Sequence, residues 1–284
     1  MSYSAIEASV DLGQPTTLFE FIYGTTSGDA FRYATTIDEV SLAGRAWSPQ
    51  NLTHSEISNS GVLDRAELTV TARSDIEVAQ LFIAAPPSQP VVLNIWRGHS
   101  LTLTDGWDSF VRVWTGRVLS AAWEEADVQF KCEPVATSAK RVGLRRHYQY
   151  GCPHVLYGRA CGVSEIANTA PGRVASINNG QDLVVTLLTV PVNVTPAQMI
   201  GGVFTLQLPD GRSVRRSITG AEAQGGSVRL TLMGTVPELA VGMLIYVARG
   251  CLHNFDACKT FNNTSNYGGC PNIPTRDPFR ANTF

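Results

Sequence analysis

Two pairs of cysteines, Cys152 with Cys161 and Cys251 with Cys258, constrain this chain more than any other feature. Each pair brackets a short loop with aromatic residues in or beside it, and residues 162–250, 89 in all, lie between the pairs. If all four thiols share one site, the ends of that stretch must also meet, and for a floppy chain the closure costs about 4 kcal/mol. A folded insert whose termini lie together avoids most of that cost. The spacing therefore predicts a cysteine domain made of residues 145–170 and 250–284, split by an inserted β domain at 171–249. An N-terminal β domain would occupy 1–144.

The hydrophobic pattern sets the fold class. Up to about residue 135 it is mostly period-two, in Leu18–Tyr23, Glu67–Thr71, Val91–Trp96, Val111–Trp114 and Ala126–Cys132, so these stretches read as strands. One short helix is expected at 75–84, where Ser74 and Glu77 have capping-box spacing and Pro86-Pro87 ends the run. The insert repeats the strand pattern at Arg173–Ile177, Leu183–Leu187, Val203–Leu206, Val228–Leu232 and Met243–Val247, with turns at Asn178-Asn179-Gly180 and Pro209-Asp210-Gly211. Short strands at this spacing suggest a small barrel or sandwich. The expected class is mainly β: an N-terminal β domain with a short helix, and a small irregular cysteine domain interrupted by a β-barrel or β-sandwich.

The site chemistry depends on compartment. The N-terminus lacks the basic start and apolar stretch of a secretory signal, and no apolar run approaches a membrane span. Folding in a reducing cytoplasm, without a membrane anchor, is the expectation, and repeated cysteine spacings there more often mean metal or catalysis than bridges. A net charge of −2 with no basic stripe gives little support for nucleic-acid binding. Charged residues are only 16% of the chain and Arg outnumbers Lys by 19 to 3, which fits the buried interfaces of an assembly or a GC-rich genome.

Three readings of the thiols stay open on spacing alone: a cluster, zinc, or disulfides. Structural zinc favours two to four residues between paired ligands, against eight and six here. Glycines beside three of the thiols suit N–H···S bonds of the kind that tune iron–sulfur clusters. Arg145, Arg146, His147, Arg159 and Lys259 are close in sequence to offset cluster charge, and Tyr150, Tyr157, Phe255 and Phe261 to exclude water. His154 and His253 fall inside the loops, where hydrogen bonding is the commoner role than ligation. Cys270 is a fifth thiol beside the site or a substitute for one of the four, and Cys132 reads as a core thiol.

The run Cys152-x₈-Cys161-Gly162, then Cys251-x₆-Cys258-Lys259-x-Phe261-x-Asn263 and Asn266-Tyr267-Gly268-Gly269, resembles the C-terminal region of lambda-type minor tail protein L and of tail hub proteins of siphophages and gene transfer agents. Gly44-Arg45-Ala46-Trp47-Ser48-Pro49 is similar to the Gly-x-x-aromatic-x-Pro of the same hubs. The resemblance implies that Cys152, Cys161, Cys251 and Cys258 hold a [4Fe–4S] cluster. It also implies a structural virion protein at the tail tip, assembled in the host cytoplasm: a trimeric hub joining the distal tail protein to a central tail fibre. Two departures stand out, Cys270 at a position the family usually fills with an apolar aromatic and an insert longer than in lambda-type L. The competing classes are an iron–sulfur electron-transfer protein and a disulfide- or zinc-stabilised envelope-binding module. No Gly-x-Gly-x-x-Gly after a strand, Walker loop or Gly-x-Ser-x-Gly elbow occurs, so no enzyme activity is expected.

Overall fold

The computed structural model describes residues 6–8, 14–24, 30–42, 44–57, 67–83, 86–99, 110–140, 143, 147–189, 194–209 and 212–273. The chain forms two compact units, Met1–Arg141 and Val142–Phe284. Among the described residues, none forms a helix long and apolar enough to cross a membrane.

In the first unit the strands are β1 (Pro15–Ile22), β2 (Ala30–Ala34), β3 (Val40–Leu42), β4 (Arg45–Pro49), β5 (Thr53–His54), β6 (Leu68–Arg73), β7 (Val91–His99), β8 (Val111–Glu124) and β9 (Asp127–Pro134). They form one sheet in the order β3-β4-β2-β1-β7-β8-β9-β6-β5. The alternation in β1 explains why both faces are used. Phe19 and Phe21 enter a core with Val70, Leu93, Ile95, Val128, Phe130 and Cys132, so Cys132 packs as a small hydrophobe. Leu18 points the other way, into a smaller cluster with Ala34, Leu42, Trp47 and Phe110.

Glu20 shares the Leu18 side and is 3% exposed. Its carboxylate accepts from Arg32 Nε at 2.9 Å, Arg45 Nη1 at 3.3 Å and Asn94 Nδ2 at 3.4 Å. A buried carboxylate needs such partners, and the cross-strand register of Glu20 with Arg32 and Asn94 supplies two of them. The expected helix is a single turn, α1 (Glu77–Gln80), starting after Ile76 without a side-chain cap. The Ser74–Glu77 capping box does not form because the chain is still extended at Ile76, so the helix starts too late for Ser74 to be its cap.

In the second unit the strands are β10 (Thr169–Ile177), β11 (Asp182–Leu187), β12 (Val203–Gln207), β13 (Ser213–Gln224), β14 (Ser227–Leu232) and β15 (Leu244–Ala248). They close a barrel in the order β10-β11-β14-β13-β12-β15. The architecture is thus mainly β, and of the two forms expected for the insert the barrel is the one adopted. Val174, Leu183, Val185, Phe204, Leu206, Ile218, Leu230, Ile245 and Val247 fill it. Bulges between Val174 and Ser176 and between Ile218 and Gly220 supply the bending that closure requires. The 12-residue β13 carries Arg215, Arg216 and Gly220, which break the apolar alternation that marks a strand. The turn at Asp210-Gly211 lies outside the described residues.

Barrel closure pairs the first strand with the last, Thr169 opposite Ala248. The chain therefore leaves the barrel beside the point where it enters. The N–H of Arg249 donates to the carbonyl of Asn168 at 3.0 Å, carrying this contact one residue past the strands.

Candidate metal centre

Because the barrel ends are adjacent, the two cysteine segments flank one another. The N–H of Cys152 donates to the His253 carbonyl at 2.7 Å, and Cys270 N–H donates to the Gln149 carbonyl at 2.8 Å. Cys251 follows Gly250, whose added Cβ would lie 1.9 Å from the Ile200 carbonyl oxygen; only a glycine lets the chain pass there. Cys258 sits on a short helix, α2 (Phe255–Thr260), capped by Asn254, whose Oδ1 accepts from Ala257 N–H at 2.7 Å.

Cys152, Cys161, Cys251 and Cys258 line one small cavity, part of it open to solvent. His154, His253, Asn263, Phe261 and Tyr267 are also in its wall. All six cysteines of the chain are free thiols. Cys132 is in the first unit's core, and Cys270 is half-buried and is not among the residues lining the cavity. Among the described residues no group of three or more His, Cys, Asp or Glu is gathered for a metal ion.

Each sulfur has a polar neighbour. Gly268 N–H donates to Cys152 Sγ at 3.5 Å, His253 N–H to Cys251 Sγ at 3.4 Å, and Asn263 Nδ2 to Cys161 Sγ at 3.9 Å. The Cys258 thiol donates to the Asn263 carbonyl at 3.1 Å. Asn263 Nδ2 also donates to the Cys161 carbonyl at 2.6 Å, so this one asparagine serves both pairs. His154 and His253 place Nδ1 on the carbonyls of Asn266, at 3.0 Å, and Cys152, at 3.1 Å. A carbonyl only accepts, so Nδ1 carries the proton in each.

The closing Asn266-Tyr267-Gly268-Gly269 motif has a steric reason. A Cβ on Gly268 would lie 2.6 Å from His154 Nε2, and one on Gly269 would lie 2.5 Å from the Tyr150 carbonyl oxygen. Tyr267 donates its hydroxyl to that same Tyr150 carbonyl at 2.5 Å and stacks edge-on against Phe255 at 5.2 Å. Of the four described non-glycine residues with positive φ, Tyr157 (62°), His253 (56°) and Asn262 (56°) belong to these loops. Such backbone is uncommon and persists where surroundings over-determine it.

Burial raises the pKa of the Cys251 and Cys258 thiols. The other cysteines add to the effect: Cys161 and Cys152 on Cys251, and Cys152, Cys251 and Cys161 on Cys258. Four thiols within electrostatic reach resist ionising together, and a cationic centre among them reverses that balance. The donor set, four thiols with three N–H···S contacts, suits a polynuclear iron–sulfur group.

Several expected neighbours play other parts. Tyr157 turns its hydroxyl onto the Arg249 carbonyl, and Lys259 pairs with Asp256 at 2.9 Å over the Phe255 ring. Arg159 is exposed, and Arg145 and Arg146 lie outside the described residues. The sequence reading gave no role to Asn254, Asn263 or Arg249, although Asn263 stood within a motif it quoted.

A family model described as "Phage conserved hypothetical protein BR0599" matches residues 200–277, which span the second cysteine segment and the later barrel strands. No curated protein matches the chain in sequence. Among solved structures, a chain of the "Virion of native gene transfer agent (GTA) particle" is similar with a TM-score of 0.79 at 13% identity, covering 99% of this chain and 94% of that one. At that identity the likeness establishes the fold: this chain is built as a chain of that particle is built.

Proposed function

We propose that this protein is a structural virion protein of a phage or gene transfer agent, the hub at the distal end of a long non-contractile tail. In this reading Cys152, Cys161, Cys251 and Cys258 hold a [4Fe–4S] cluster. The observation that carries it is that four thiols, from segments some hundred residues apart, line one cavity. A fold shared with a virion chain over nearly the whole length supports the structural role, as does the partial match to a phage family.

The barrel at 171–249 is read as an insert that splits the cysteine domain, 145–170 with 250–284. A cluster bound there supplies a covalent crosslink among four side chains, and its binding energy becomes folding energy where no continuous core joins the loops. The protein's own part is to hold the sulfurs apart around the cavity and to donate N–H groups to them. The hub would be a homotrimer, contacting the distal tail protein and the central fibre, with no catalytic role.

The test is anaerobic purification followed by a visible spectrum and assays of iron, sulfide and zinc, with antibody labelling of intact particles. Broad brown absorbance with equal iron and sulfide, and label at the tail tip, is the expected result. Stoichiometric zinc or disulfide-bonded thiols would exclude the cluster, and label confined to the capsid would exclude the hub.

A further inference from the structure

The sequence places Arg145, Arg146, His147, Arg159 and Lys259 close enough to offset charge at this site, and of these His147 and Arg159 are exposed. Arg249, which follows the last barrel strand and stands two residues before Cys251, is held there instead. Its Nη2 donates to Thr260 Oγ1 at 2.6 Å and its Nη1 to the Thr260 carbonyl at 3.3 Å. Its guanidinium carbon lies 4.4 Å from the centre of the Phe261 ring, and Phe261 is in the cavity wall. Its backbone N–H donates to Asn168 and its carbonyl accepts from the Tyr157 hydroxyl. One residue thus touches the entry to the barrel, its exit, the first cysteine loop and the end of α2. The Nε atom is buried without a hydrogen-bond partner.

We infer that Arg249 is the latch of the four-thiol site and its fixed counter-charge, tying both cysteine loops to the barrel and keeping a positive group against Phe261 in the cavity wall. The counter-charge half rests on the cluster reading above; the latch half does not.

A buried anionic group needs a compensating charge that stays in place. Arginine does not deprotonate, and its fork is pre-organised by two bonds to one threonine and by an aromatic face. Lys259 is a poorer candidate, since Asp256 already neutralises it at an exposed position.

The experiment compares Arg249→Lys and Arg249→Met with the full-length wild type. In anaerobically purified protein, Arg249→Met is expected to lose iron to a chelator about 10- to 100-fold faster and to shift the cluster midpoint potential to more negative values. Arg249→Lys keeps the charge and should retain the wild-type potential while losing iron at an intermediate rate. A wild-type potential in Arg249→Met overturns the counter-charge. The latch is read by hydrogen exchange in the full-length protein as purified anaerobically: both variants should exchange residues 150–162 and 255–263 faster while the barrel strands stay protected. Unchanged exchange in these loops overturns the latch. Wild type that binds no iron removes the cluster reading and the counter-charge together, and the exchange result still decides the latch.

Discussion

Cys152 and His253, 101 residues apart, are joined twice: the Cys152 N–H donates to the His253 carbonyl at 2.7 Å, and His253 Nδ1 donates to the Cys152 carbonyl at 3.1 Å. Each loop thereby satisfies backbone groups of the other, as one rung of an antiparallel ladder would. The left-handed backbone of His253 sits at the same residue whose N–H reaches the Cys251 sulfur. The junction and the sulfur environment are therefore one structure.

Replacing a thiol of the cavity should differ from replacing one outside it. Cys152→Ser, Cys161→Ser, Cys251→Ser and Cys258→Ser are each expected to give protein with little iron and sulfide, whereas Cys270→Ser keeps both. Metal assays on the five anaerobically purified variants decide this, and full iron in Cys251→Ser would remove that residue from the ligand set.

Asn263→Ala removes the bond to the part-buried Cys161 carbonyl, at an expected cost of about 1 kcal/mol. Asn254→Ala deletes the α2 cap and should cost about 1 kcal/mol, with Asn254→Ser recovering most of it. Denaturant melts of the second unit, followed by hydrogen exchange, measure both.

Steric limits at the junction are testable with a single methyl group. Gly250→Ala places a Cβ against the Ile200 carbonyl, and Gly269→Ala places one against the Tyr150 carbonyl. Neither backbone oxygen can swing aside, so each change should destabilise by more than about 2 kcal/mol. Gly143→Ala meets nothing within 4 Å and serves as the neutral comparison. Equal thermal stability of all three would contradict the packing described.

Burial raises the Cys132 thiol from 9.0 to about 12. Below pH 9 both folded and unfolded chains keep this proton, and the thiol's full contribution is present. Between about 9 and 12 the unfolded chain releases the proton while the folded one holds it, so stability falls by up to about 1.4 kcal/mol per pH unit. All five tryptophans lie in residues 1–141, so their fluorescence follows the first unit alone. Urea melts under reductant at pH 7.5 and 10 should show this loss, and Cys132→Val should reduce it. Tyr33 is raised in the same way by burial, but its ordinary value of 10.0 means the unfolded chain begins to release that proton only near pH 10, which leaves the first part of this window to the thiol.

Much of the β architecture was legible because alternation is a local signal: Phe19 and Phe21 against Leu18 and Glu20 mark the two faces of β1 without reference to any other strand. The strands that local alternation does not mark, β2 to β5 and β13, are short or interrupted by polar residues, and their hydrogen-bonding partners come from the sheet and the barrel. The absent capping box at Ser74 is the converse case, a correct local motif overruled by an extended residue at Ile76.

The sequence by itself determined the mainly β class, the cysteine spacing and the glycines that the loops need, because these depend on side-chain period and on the absence of Cβ. Only the tertiary structure decided that Thr169 lies opposite Ala248, that four thiols line one cavity, and that Asn263 and Arg249 serve it. Those facts arise from barrel closure and from contacts between residues about a hundred positions apart, and no local pattern encodes which distant partner a strand or a carbonyl will find.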